Sequence, residues 1–76
     1  MKIRKIVGEN IRSFRTNLGW SQEKLGAETG LHHDYIGRLE RGSENVGIDN
    51  LIKIAEVLKV DPADLLKERF PGTKNE

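Results

Sequence analysis

Apolar residues recur along this chain at the spacing of helix faces. Ile3, Ile6, Val7, Ile11, Phe14 and Leu18 fall on one stripe and predict a first helix over 3–18. Lys2, Lys5, Glu9, Arg12 and Asn17 lie mostly off that stripe, and Gly19 closes the helix. Gly8 weakens its middle by up to about 1 kcal/mol against alanine and suits close packing on another helix. Ile48, Leu51, Ile54, Ala55 and Leu58 form an inward stripe for a helix over 48–58, capped at Gly47. Ile52 lies off this stripe, as a local core filler or part of a partner surface. A last helix opens at Asp61-Pro62-Ala63-Asp64. Aspartate caps, proline fits the first helical position, and a carboxylate follows three residues after the cap. Leu65, Leu66 and Phe70 are its apolar groups; Pro71-Gly72 ends it, and 71–76 reads as a disordered tail. The expectation is one all-α domain over 1–70.

Between these stripes lies SQEKLGAETGLHHDYIGRLERG, residues 21–42. Ser21 can cap a short helix over 22–29, and Gly30 can end it in the left-handed conformation. Leu31 packs inward. A further helix runs over 33–41 and stops at Gly42. Helix, tight glycine turn and helix make a helix-turn-helix, whose second member lies in the major groove of DNA while the first crosses the backbone. Leu31, Ile36 and Leu39 point inward, with Tyr35 on the flank. His33, Asp34, Gly37 and Arg38 are left on the outer face, and 34, 37, 38 and 41 share a side. Arg38 is the strongest candidate for reading a base, because its fork matches guanine O6 and N7. His33 and Asp34 lie at the helix start, which meets base edges in this docking mode. Two readings of Asp34 stand: it accepts from cytosine N4 or holds Arg38, or it only complements the helix dipole.

The combined pattern resembles the phage-repressor and Cro-type helix-turn-helix regulators, the Xre family. Leu18-Gly19-Trp20-Ser21-Gln22, Leu25, Ala27, Gly30-Leu31, Tyr35-Ile36 and Leu39-Glu40-Arg41-Gly42 carry the resemblance, which extends through 48–58 and 61–66. It implies a five-helix lambda-repressor-like DNA-binding domain with the motif formed by helices two and three. It implies that Gln22 bonds a phosphate, against the alternative of a solvated glutamine. It implies phosphate contacts from the loop residues Arg41, Ser43 and Asn45. Tyr35 is split: its ring packs, while its hydroxyl can reach a phosphate. Glu44 departs from the pattern; it would repel phosphate and should point away. The resemblance also pairs Glu40 with Arg15, locking the first helix to the recognition helix. Trp20 reads as a plug under the turn or as a phosphate contact through its ring N–H.

Net charge is only +1, but its distribution is uneven. Residues 1–24 carry six basic groups against two acidic ones, and residues 44–76 carry five against seven. A one-faced DNA binder would show this asymmetry, and so would an ordinary solvated helix. There is no cysteine, which excludes disulfides and thiolate metal sites. His32-His33-Asp34 invites a metal, but successive helical residues point apart, so no metal or cofactor is expected. His32 stands at a cap position where it should serve poorly. No serine, threonine or cysteine sits in a catalytic arrangement, so an enzyme is not expected. No run approaches the roughly 20 apolar residues of a membrane span and no signal-peptide core is evident, so a cytoplasmic location and no membrane partner are expected.

The function expected is sequence-specific recognition of double-stranded DNA. One recognition helix reads few base pairs, so a homodimer on a near-palindromic operator is expected, with half-sites about 34 Å apart. Ile52, Val60, Leu66 and Phe70 are its expected interface. The size resembles restriction–modification controller proteins. The alternative is an antitoxin-like protein that binds a partner toxin and regulates its own operon.

Overall fold

The computed structural model describes residues 2–68. Among them are four helices and one short turn of 3-10 helix. The helices are α1 (Lys2–Asn17), α2 (Gln22–Thr29), α3 (His33–Arg41) and α4 (Ile48–Leu58); the 3-10 turn is Pro62–Leu65. No described residue is in a strand.

The boundaries follow local chemistry. The Ser21 hydroxyl accepts from the Lys24 N–H at 3.0 Å, which starts α2. Gly30 ends it at φ 79°, where its N–H and that of Leu31 both donate to the Gly26 carbonyl. The Thr29 hydroxyl donates to the Leu25 carbonyl at 2.8 Å and accepts from Leu31 N–H at 3.2 Å, so it ties the turn from inside. His32 caps α3 after all: its Nδ1 accepts from Asp34 N–H at 3.0 Å. An unprotonated ring nitrogen does here what a hydroxyl or carboxylate does elsewhere.

Val7, Ile11, Leu25, Ile36, Leu39, Leu51, Ile54, Ala55, Leu58 and Leu65 form the core, drawn from every element. Phe14, Trp20, Leu31, Tyr35 and Val60 pack on its edge. Three apolar residues of the predicted stripes are exposed instead. Ile3 lies in the first turn of α1 and is 39% exposed. Leu18 lies beyond the last turn of α1. Ile48, at the first position of α4, is 71% exposed, because the inward stripe of that helix begins only at Leu51.

The expected fifth helix is a single 3-10 turn. Its start is as anticipated: Asp61 Oδ1 accepts from Ala63 N–H, Asp64 Oδ2 accepts from Asp61 N–H, and Pro62 opens the turn. Propagation fails because only Leu65 is buried, while Leu66 turns outward. The carbonyls of Leu65 and Lys67 both accept from Asn10 Nδ2, at 2.9 and 2.8 Å. The residue that fastens this segment is therefore a buried amide on α1. Phe70 and the tail 71–76 lie outside the described residues.

Two features fix α3 against α1. The first is backbone proximity at Gly8. A Cβ there would lie 2.2 Å from the Leu39 carbonyl oxygen and 2.7 Å from that of Glu40. The second is an ion pair. Arg15 Nε and Nη2 donate to the two carboxylate oxygens of Glu40 at 2.6 and 2.9 Å, and Nη1 donates to the Trp20 carbonyl at 2.7 Å. The side chains are only 10% and 4% exposed. The Glu40 hydrogen bond holds the Arg15 guanidinium above its ordinary range; burial opposes this, and the Glu40 charge adds to it. Three of five guanidinium donors are satisfied in a bidentate fork plus one carbonyl, so desolvation is well compensated.

Gly8→Ala should lower stability by about 1–3 kcal/mol despite alanine's better helix propensity, because α1 and α3 must separate. Urea denaturation measures it, and a stabilised variant would refute the close approach. Arg15→Ala should cost about 3–5 kcal/mol by stranding Glu40. Replacing both partners with Met should recover much of that loss in the same measurement.

Candidate nucleic-acid interface

The recognition helix has nine residues, about 14 Å at 1.5 Å per residue, a length suited to a major groove about 12 Å wide. Its inner side is fixed by Ile36 and Leu39 in the core and by Glu40 on Arg15. That seating turns His33, Asp34, Arg38 and Arg41 to solvent, and all four are exposed. The three base-reading candidates are therefore all accessible.

Gly37 departs from the expected outer face: it is buried. The side chains of Gln22 and Arg41 cover it, with Arg41 Nη1 and Gln22 Oε1 each 3.4 Å from where a Cβ would stand. The missing side chain lets residues from α2 and from the end of α3 meet over the middle of the reading helix. Gln22 is held there by Glu40, whose Oε1 accepts from Gln22 Nε2 at 3.1 Å. One amide proton and the amide oxygen of Gln22 remain for other partners. The same carboxylate that seats α3 thus also orients the side chain expected to reach a phosphate.

Tyr35 divides its functions. Its ring packs against the core, and its hydroxyl oxygen accepts from Asn50 Nδ2 at 3.2 Å. The phenolic proton is still available to a phosphate oxygen. Ser43 and Asn45 lie exposed in the loop after α3. The Ser43 hydroxyl donates to the Arg38 carbonyl at 3.3 Å, and its backbone N–H donates to the same oxygen at 3.1 Å.

At this face one open reading narrows and one expectation fails. Of the readings of Asp34, holding Arg38 is not the one seen; its carboxylate lies 3.3 Å from His33 Nδ1. Glu44 does not point away. Its Oε1 accepts from Arg38 Nε at 3.0 Å. The signal that could have revealed Glu44 is Gly42. At φ 77° this glycine reverses the chain, bringing residues 43 and 44 back beneath the last turn of α3.

The histidines also converge more than helical geometry suggests. The rings of His32 and His33 stack with centroids 4.5 Å apart, and ligand atoms of His32, His33 and Asp34 lie within 4.8 Å of one another. His32 precedes the helix with extended backbone, so its ring does not diverge from that of His33 as successive helical side chains would. Its Nδ1, however, is committed to the α3 cap, and all three side chains are exposed.

Of the expected interface residues, Ile52 and Leu66 are exposed, at 37% and 46%. Val60 is half-buried against the core. Ile48 belongs with the exposed set, and it lines a groove of about 160 Å³ with Ile3, Val7, Leu51 and Leu66. Among the described residues no helix is long and apolar enough to cross a membrane.

A family model described as "Helix-turn-helix" matches residues 11–65. The control protein C.BamHI of Bacillus amyloliquefaciens is 46% identical over 65 residues, covering 84% of this chain and 80% of that protein. The control protein C.SmaI of Serratia marcescens is 42% identical over 76 residues, covering 100% of this chain and 88% of that protein. The crystal structure of the restriction-modification controller protein C.AhdI from Aeromonas hydrophila has a TM-score of 0.82 at 37% identity, covering 86% of this chain and 98% of that one. With the motif at α2–α3 and its outer face open, this chain belongs to the helix-turn-helix family of Xre-type transcriptional regulators.

Proposed function

We propose that this regulator acts as a restriction–modification controller: a homodimer that binds a near-palindromic operator in double-stranded DNA through α3 in the major groove. The observation that carries the proposal is the outer face of α3. Its exposed His33, Asp34 and Arg38 stand on a helix whose angle is set by a buried ion pair. Bases are read best by side chains on rigidly held elements. Gln22, Tyr35, Arg41, Ser43 and Asn45 surround this face and supply phosphate contacts, which set register. The control-protein names of similar relatives support the controller assignment.

The dimer surface combines Ile48, Ile52 and Leu66 with Val60 at its margin. Exposed apolar side chains grouped on α4 and the 3-10 turn support this surface, since such groups are commonly interaction sites.

Selection of bound duplexes from a random pool tests the whole proposal. It should yield paired half-sites about 34 Å, or one DNA turn, apart; a pool without enrichment would refute it. Arg38→Ala should cost about 1–3 kcal/mol on the selected duplex and relax preference at one guanine, with little change on random DNA. Equal losses on both would remove Arg38 from base readout. Leu66→Asp should shift the protein to monomer in sedimentation velocity while its helical circular dichroism is retained. A Leu66→Asp protein that stays dimeric would rule this surface out.

A further inference from the structure

The loop that follows the recognition helix grips Arg38 at two points. Gly42 takes the left-handed conformation, and the Ser43 N–H and hydroxyl both donate to the Arg38 carbonyl at 3.1 and 3.3 Å. That fold-back delivers Glu44 to the Arg38 side chain, where Oε1 accepts from Nε at 3.0 Å. Both side chains remain partly open to solvent, at 46% and 36%. The contact is therefore accessible to a groove and breakable.

We propose that Glu44 is a specificity-determining positioning residue: it holds Arg38 in a guanine-reading posture and penalises the use of Arg38 as a phosphate anchor. The inference rests on the reading role proposed for Arg38. A guanidinium has five N–H donors. Glu44 takes the Nε edge and leaves the Nη1/Nη2 end, which suffices for two hydrogen bonds to guanine O6 and N7. Guanine is neutral, so this contact leaves the pair with Glu44 intact. A phosphate competes directly. On a duplex lacking the guanine, Arg38 gains a backbone contact only by bringing the Glu44 carboxylate close to the phosphate or by leaving it unpaired. Either outcome is unfavourable, and it falls on the wrong sequences alone. On a chain whose net charge is only +1, non-specific attraction is modest at the outset, so one conditional cation carries weight. Glu44 thus sacrifices non-specific affinity for discrimination.

The test measures binding of the full chain to the selected duplex and to a scrambled duplex of equal composition, across about 50–200 mM salt. Glu44→Ala and Glu44→Gln should both bind the scrambled duplex about five- to tenfold tighter at about 0.1 M salt. The logarithmic salt slope on that duplex should steepen by about 0.9, the value of one added phosphate contact. Binding to the selected duplex should not tighten, because Arg38 loses its hold in the reading posture, so the specificity ratio falls by at least about five- to tenfold. In an Arg38→Ala background, removing Glu44 should move both duplexes by the same factor. A ratio that is unchanged or raised in the Glu44 variants overturns the proposal while leaving the reading role of Arg38 standing. If Arg38→Ala alone leaves the ratio unchanged, the reading role itself fails. A role confined to loop stability would lower the melting temperature without altering the salt slope on scrambled DNA, and that result also overturns the proposal.

Discussion

The buried fork between Arg15 and Glu40 joins the first helix to the one that reads. Three elements converge there: α1 supplies the guanidinium, α3 the carboxylate, and the stretch before α2 the Trp20 carbonyl. Gln22 of α2 then adds its amide to the same carboxylate. A helix-turn-helix has few ways to set the pitch of its second helix, because nine residues bury little apolar area. Ile36 and Leu39 hold α3 to the core. The fork supplies the directional constraint that packing alone lacks, since a planar guanidinium fits a carboxylate in one orientation. Gly8 makes this possible by letting the backbones of α1 and α3 approach.

Much of this was legible in the chain. Periodicity located α1, α3 and α4, and local signals bounded α2 and the end of α3, because Ser21, Gly30 and Gly42 act through local geometry. What escaped depends on contacts distant in sequence. Asn10 looks like an ordinary polar residue on α1. Only the fold brings the Leu65 and Lys67 carbonyls to its amide, and that contact fastens to α1 a 3-10 turn where capping chemistry promised a helix. Ile48 satisfies the stripe but stands one turn ahead of the core it was assigned to. His32 defied a rule of thumb, since an imidazole nitrogen can occupy a site that statistics give to oxygen.

The candidate interface divides along the same line. That His33, Asp34 and Arg38 face outward follows from 3.6-residue periodicity, and the structure exposes all three. The partners of those side chains do not follow from it. Arg38 has its counterion six positions ahead across a glycine reversal, whereas Asp34, four residues before it and the natural helical candidate, turns to His33. Arg38 pairs with a carboxylate beyond the helix, because the chain reverses at Gly42.

On α3 the side chains that seat the helix and those that face outward are separate sets. Ile36, Leu39 and Glu40 carry the packing, while the side chains of His33, Asp34 and Arg38 are exposed. Substitutions at the outer three positions leave the scaffold's foundations untouched. Such a protein can change its outward chemistry by point substitutions, without passing through unfolded ancestors. The outer face of α3 is in this sense modular, and descendants of one gene can vary it while keeping a common frame.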